Sequence, residues 1–82
     1  MSEIGHLLRV IDAFCEASGH TESTVSTRFL GAGHRARQLR EGSDMGSHRI
    51  ARAIREFSDN WPADAEWPAD VPRPAPTAAA AE

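Results

Sequence analysis

Residues 32–42, AGHRARQLREG, concentrate the side chains best suited to recognising anions and base edges: His34, Arg35, Arg37, Gln38 and Arg40. A guanidinium offers paired donors that fit guanine or a phosphate, and a glutamine amide pairs with adenine. Set at about 100° per residue, a stretch of this kind becomes a helix with two distinct faces. Ala36 and Leu39 fall inward, His34, Arg37, Gln38 and Glu41 outward, and Arg35 and Arg40 on the flanks. The outward face is expected to read DNA.

The remaining groups capable of chemistry do not assemble into a reaction centre. The four histidines stand at an even spacing of 14, at positions 6, 20, 34 and 48, in surroundings that differ too much for a repeat. Metal sites need Cys, His or carboxylate partners at short spacing, so neither metal nor other cofactor is expected. Cys15 falls at the inner edge of an apolar stripe and reads as a small core residue. The hydroxyl cluster SGHTEST, residues 18–24, reads as turn and capping chemistry without a base to activate a nucleophile. An enzyme is therefore not expected.

A chain of 82 residues makes one small domain and buries a limited core. One cysteine forbids an internal disulfide and agrees with a reducing cytoplasm. No apolar run reaches the roughly 20 residues of a membrane span, and the first residues, MSEIGHLLRV, resemble no export leader. The formal net charge of -3 conceals a segregated arrangement. Seven of the nine basic residues, all arginine, lie in 28–55 against two acids, which leaves that segment at about +5; residues 56–82 carry six acids and one arginine, about -5.

Those side chains need elements to hold them. Ile4, Leu7, Leu8, Ile11, Phe14 and Cys15 recur at three and four, predicting a helix over 4–17 that Gly19 ends. Thr21 can cap a second helix, with Val25, Phe29 and Leu30 turned to the core. Gly31 and Gly33 leave room only for a tight turn before the third helix, which Gly42 closes. A fourth helix, capped by Ser47 or Asp44, aligns Ile50, Ile54 and Phe57, with Met45 beside them. Its other face, His48, Arg49, Arg52 and Arg55, is either a solvated face or a second basic surface.

A supporting helix with Val25 and Phe29 inward, a tight turn, and a second helix with Ala36 and Leu39 inward form the helix-turn-helix spacing. Over residues 7–57 the chain resembles the lambda-repressor-like, Cro-type family of small phage or phage-derived bacterial regulators. That resemblance implies an all-α, four-helix DNA-binding domain over 1–60, with 21–30 as supporting helix and 33–41 as recognition helix. It implies base contacts from His34, Arg37 and Gln38, and phosphate contacts from Arg28, Arg35 and Arg40. The function expected is that of a cytoplasmic transcription regulator acting on double-stranded DNA, and because one small monomer making a single groove contact binds weakly, a homodimer on two half-sites about 34 Å apart is expected. Where the family commonly has glycine at the first turn position and alanine or glycine midway along the supporting helix, this chain has Leu30 and Ser26. One residue of slip in the turn would exchange the reading and anchoring roles.

Beyond Asn60 the composition changes: residues 61–82 hold all five prolines, repeat WPAD six residues apart and finish in an alanine run. Prolines exclude a regular helix or strand, so this acidic segment is expected to be largely disordered from Val71 on. Trp61 and Trp67 are expensive to leave in water and are candidates for docking on the helices or in a dimer. The competing functional class is a protein-interaction adapter or antitoxin-like module, using the basic helix and the WPAD tail as two docking elements.

Overall fold

Leu7, Val10, Ile11 and Phe14 share one face at helical spacing. In the computed structural model, which describes residues 3–74, they form the buried side of α1 (Glu3–Ser18). Gly19, at φ +78°, closes that helix in the left-handed region. Thr21 then opens α2 (Glu22–Leu30): its Oγ1 accepts from the Thr24 amide at 3.2 Å, satisfying one of the donors that a helix start leaves over. α3 (Arg35–Arg40) and α4 (Ser47–Asp59) follow, and there is no strand among the described residues. The all-α expectation agrees with this architecture.

All three phenylalanines of the sequence meet where α1, α2 and α4 converge. Phe29 and Phe57 stack at 4.0 Å between centroids, and Phe14 approaches both edge-on at 5.2 and 5.4 Å. Leu7, Val10, Ile11, Val25 and Ala36 complete the inner layer, each no more than 1 % exposed. α3 rests on α1 and α2 through Ala36 and Leu39, the pair expected to face inward.

Two boundaries differ from expectation. α3 begins at Arg35, not at residue 33, because 31–34 are consumed by the turn. Neither Ser47 nor Asp44 caps α4: Gly46 is its N-cap and makes no side-chain cap. The Ser47 hydroxyl instead donates to Glu3 Oε1 at 2.9 Å, and Asp44 Oδ1 accepts from the neighbouring Met45 amide at 3.0 Å. Both polar groups thus spend their hydrogen bonds elsewhere.

The two WPAD segments are folded into matching turns. The carbonyl of Pro62 accepts from the Ala65 amide and that of Pro68 from the Val71 amide, both at 3.2 Å. The indole of each preceding tryptophan closes its turn, Trp61 Nε1 onto the Ala65 carbonyl at 3.1 Å and Trp67 Nε1 onto the Val71 carbonyl at 2.8 Å. Trp61 lies 5.7 Å from Phe14 and 4.7 Å from Trp67, so the strap extends the aromatic core outward. Asp70 pairs with Arg9 of α1 at 3.1 Å, and Arg73 donates to the Ser58 hydroxyl and carbonyl of α4 while lying over the Trp67 ring. The segment expected to be disordered starts at Val71, which is 3 % exposed and belongs to the buried core. For 75–82 that expectation lies outside the described residues.

Gly31 sits at φ +85° as the C-cap of α2, with open space where a Cβ would project. Alanine there strains only the backbone, at about 1–2 kcal/mol. Urea unfolding of Gly31→Ala followed by circular dichroism is expected to show a loss of that size with an unchanged m value.

Candidate nucleic-acid interface

The launch of α3 depends on one buried hydroxyl. Ser26, midway along α2 and fully buried, donates to the Ala32 carbonyl at 2.6 Å and accepts from the Ala36 amide at 3.0 Å. It therefore ties the supporting helix both to the turn and to the first turn of α3. Gly33 passes so close to α2 that a Cβ would stand 3.0 Å from Ser23 Oγ and from Thr27 Oγ1. The close crossing is set by a small residue on the turn and a small polar one beneath it.

At its far end α3 is held by Arg40. Its guanidinium meets Asp12 of α1 and Glu22 of α2, the latter through Nε at 2.8 Å and Nη2 at 2.6 Å. The hydrogen bond that Arg40 donates to Glu22 is the main influence raising the Arg40 pKa above its ordinary value; partial burial opposes it, and Asp12 adds to it. Arginine stays charged throughout, and the pairing ties three helices together. The residue expected to reach one flanking phosphate is thus engaged inside its own fold.

The outward residues fall together. Arg37 and Gln38 are exposed on the side of α3 away from Ala36 and Leu39, and His34, in the turn as the N-cap of α3, is exposed as well. Arg37 makes a 3.5 Å pair with Glu41 one turn on, and both side chains are largely in solvent, where such a pair contributes about 0.5 kcal/mol or less. Arg28 is exposed at the last turn of α2, with its guanidinium 5.1 Å from the Phe29 ring centre. Arg35 is half-buried, and its Nε is buried with no hydrogen-bond partner among the described residues. On α4, His48, Arg49, Arg52 and Arg55 are all exposed.

Sequence reasoning missed the work of Ser26, Asp12 and Glu22. The signal for Ser26 was present: it lies one residue after Val25 and three before Phe29, inside the apolar stripe, where a hydroxyl needs a partner. The ion pairs of Arg40 join residues 28 and 18 positions apart and left no local trace. Trp61 and Trp67, candidates for docking, are half-buried and spend their indole donors within the strap.

Cys15 is half-buried, and its thiol pKa is raised, first by desolvation and then by the carboxylates of Glu22 and Asp12, with Arg40 opposing. Such surroundings disfavour the thiolate needed by a nucleophile. Among the described residues no group of three or more His, Cys, Asp or Glu is placed to hold a metal ion, and no helix is long and apolar enough to cross a membrane. No protein-family model matches the chain, and neither a curated protein nor a solved structure is significantly similar to it.

Proposed function

We propose that the protein is a sequence-specific regulator of transcription that binds double-stranded DNA through a helix-turn-helix formed by α2 and α3, acting as a homodimer on a two-fold-related site. The observation that carries this reading is the Ser26 clamp, which fixes a short helix with His34, Arg37 and Gln38 outward on a rigid support. Six helical residues span about 9 Å, which fits a major groove about 12 Å wide. His34, Arg37 and Gln38 are assigned to base edges, and Arg28 and Arg35 to flanking phosphates. Arg40 serves chiefly as an internal tie. The adapter reading is favoured less, because the tryptophans that would supply its second docking element are occupied within the chain.

A selection from random duplexes at about 150 mM salt tests the proposal, since phosphate contacts alone lose much of their affinity there. Enrichment of one sequence is the expected outcome. Arg37→Ala and Gln38→Ala are each expected to cost about 1–3 kcal/mol on that sequence and to relax preference at one position, whereas Arg28→Ala weakens all duplexes alike. Absence of any enriched sequence would favour the adapter over the regulator.

A further inference from the structure

Three arginines on α4 stand without an acidic partner among the described residues. Of the other arginines, Arg9 pairs with Asp70, Arg37 with Glu41, and Arg40 with Asp12 and Glu22, while Arg28, Arg35 and Arg73 stand singly without an ion pair among the described residues. Arg49, Arg52 and Arg55, by contrast, follow one another at three residues on α4, exposed, with His48 beside them. The helix rise places the first and last of them about 9 Å apart along the axis. No acid of α4 itself occupies its first turn and no side chain caps it; the Glu3 carboxylate of α1 reaches this end, accepting from the Ser47 hydroxyl at 2.9 Å, and leaves the arginines further along the helix unpaired.

The surroundings select the kind of anion. A surface for single strands would offer aromatic platforms for bases. Here Phe14, Phe29 and Phe57 are buried, and Trp61 and Trp67 belong to the strap. A membrane-surface helix would set bulky apolar residues next to its cations. Between these arginines the exposed apolar residue is the small Ala51, Ile54 is half-buried, and the groove of about 290 Å³ that Ala51 shares with His48, Arg52 and Arg55 has no bulky apolar residue in its lining. What remains is a row of planar guanidiniums suited to a phosphodiester backbone. The row also adjoins the reading unit. Arg49 and Arg52 border a groove of about 190 Å³ with Phe29, Leu30, Met45 and one carboxylate, Glu56, and Leu30 is the residue from which the turn into α3 departs.

We infer that Arg49, Arg52 and Arg55 form a second, sequence-independent contact with the phosphate backbone of the duplex whose bases α3 reads, an inference that rests on the proposed DNA-binding function. α3 then supplies discrimination, and α4 supplies a large share of the salt-dependent affinity. The two contributions separate experimentally, because only phosphate contacts release counterions in proportion to their number.

The test is a fluorescence-anisotropy titration of the full chain against its selected duplex and a scrambled one, repeated over a range of NaCl concentrations. The triple variant Arg49→Gln, Arg52→Gln, Arg55→Gln is expected to make the slope of log K against log[salt] shallower by about 2.7, at about 0.9 per phosphate contact. Affinity should fall on both duplexes while their ratio changes by less than about twofold. Arg52→Gln, a smaller change to an exposed residue, should take about one third of the slope. Arg9→Gln on α1 should leave it unchanged. An unaltered slope in the triple variant, with the wild-type sequence preference intact, overturns the inference and leaves the DNA-binding reading standing. So does a loss confined to the selected duplex, which would make α4 a reader of bases. Failure of the wild type to bind either duplex overturns the reading itself. Vesicles of anionic lipid provide the last arm: binding that the triple variant loses while duplex binding is unchanged would reassign the stripe to a membrane surface.

Discussion

Phe57→Ala is expected to remove about 3–5 kcal/mol of stability, the usual cost of truncating a buried phenylalanine. Phe57 is fully buried, stacks on Phe29 at 4.0 Å and meets Phe14 edge-on at 5.4 Å. It is the contact through which α4 joins both other long helices, so little can collapse into the space it leaves. A chain of 82 residues has a total stability of about 4–12 kcal/mol, and one such truncation is a large part of it. Urea denaturation read by circular dichroism and by tryptophan fluorescence should give one transition, shifted to a much lower midpoint. Coincidence of the two probes matters because Trp61, 5.7 Å from Phe14, reports on the strap as well as the core. A loss below about 1 kcal/mol would show that the aromatic cluster is not the shared core of the domain.

The strap bears on how the chain would be shortened. Its prolines exclude helix and strand, yet in each WPAD segment the proline carbonyl accepts the turn hydrogen bond and the tryptophan closes over it. Cutting at residue 61 therefore removes an aromatic layer resting on Phe14, the Arg9–Asp70 pair and the Arg73 contacts to Ser58. Asp64 and Glu66 lie with Asp12 and Glu16 around a groove on α1, away from the arginines of α4.

The helices were legible because their determinants are local. The periodicity of Leu7, Ile11 and Phe14, the Thr21 cap and the closing glycines Gly19 and Gly31 act within one or two turns of backbone. The inward pair of α3, Ala36 and Leu39, followed from the same arithmetic. Illegible features depend on tertiary approach. Ser47 has the right type and place for a cap, but Glu3, 44 residues away, takes its hydroxyl. Arg40 looked like a free cation because its partners come from α1 and α2. Val71 looked like the start of a tail because a lone valine among prolines carries no periodic signal, although the Trp67 turn buries it.

Ser26→Val is the substitution expected to separate the support of α3 from the rest of the fold. Ser26 is fully buried where α2 meets the turn and the start of α3, a site with room for a small side chain. Serine keeps the small volume and adds a hydroxyl that donates to the Ala32 carbonyl and accepts from the Ala36 amide. Valine removes both hydrogen bonds and forces extra methyl groups into a fully buried site. Overpacking costs about 1–3 kcal/mol and orphaning a buried amide about as much, for a total of about 2–6 kcal/mol. Ser26→Ala relieves the steric part and should lose about 1–3 kcal/mol through the orphaned groups. Amide hydrogen exchange provides the local readout: in Ser26→Ala the Ala36 amide should exchange much faster while the amides of α1 stay protected. If α3 reads DNA, the same variant should lose sequence preference more than it loses affinity for random duplexes, because base contacts need the helix held within a fraction of an ångström and phosphate contacts do not. An Ala36 amide that exchanges at the wild-type rate would remove the role assigned to the hydroxyl, and with it the main support for α3 as a fixed reading element.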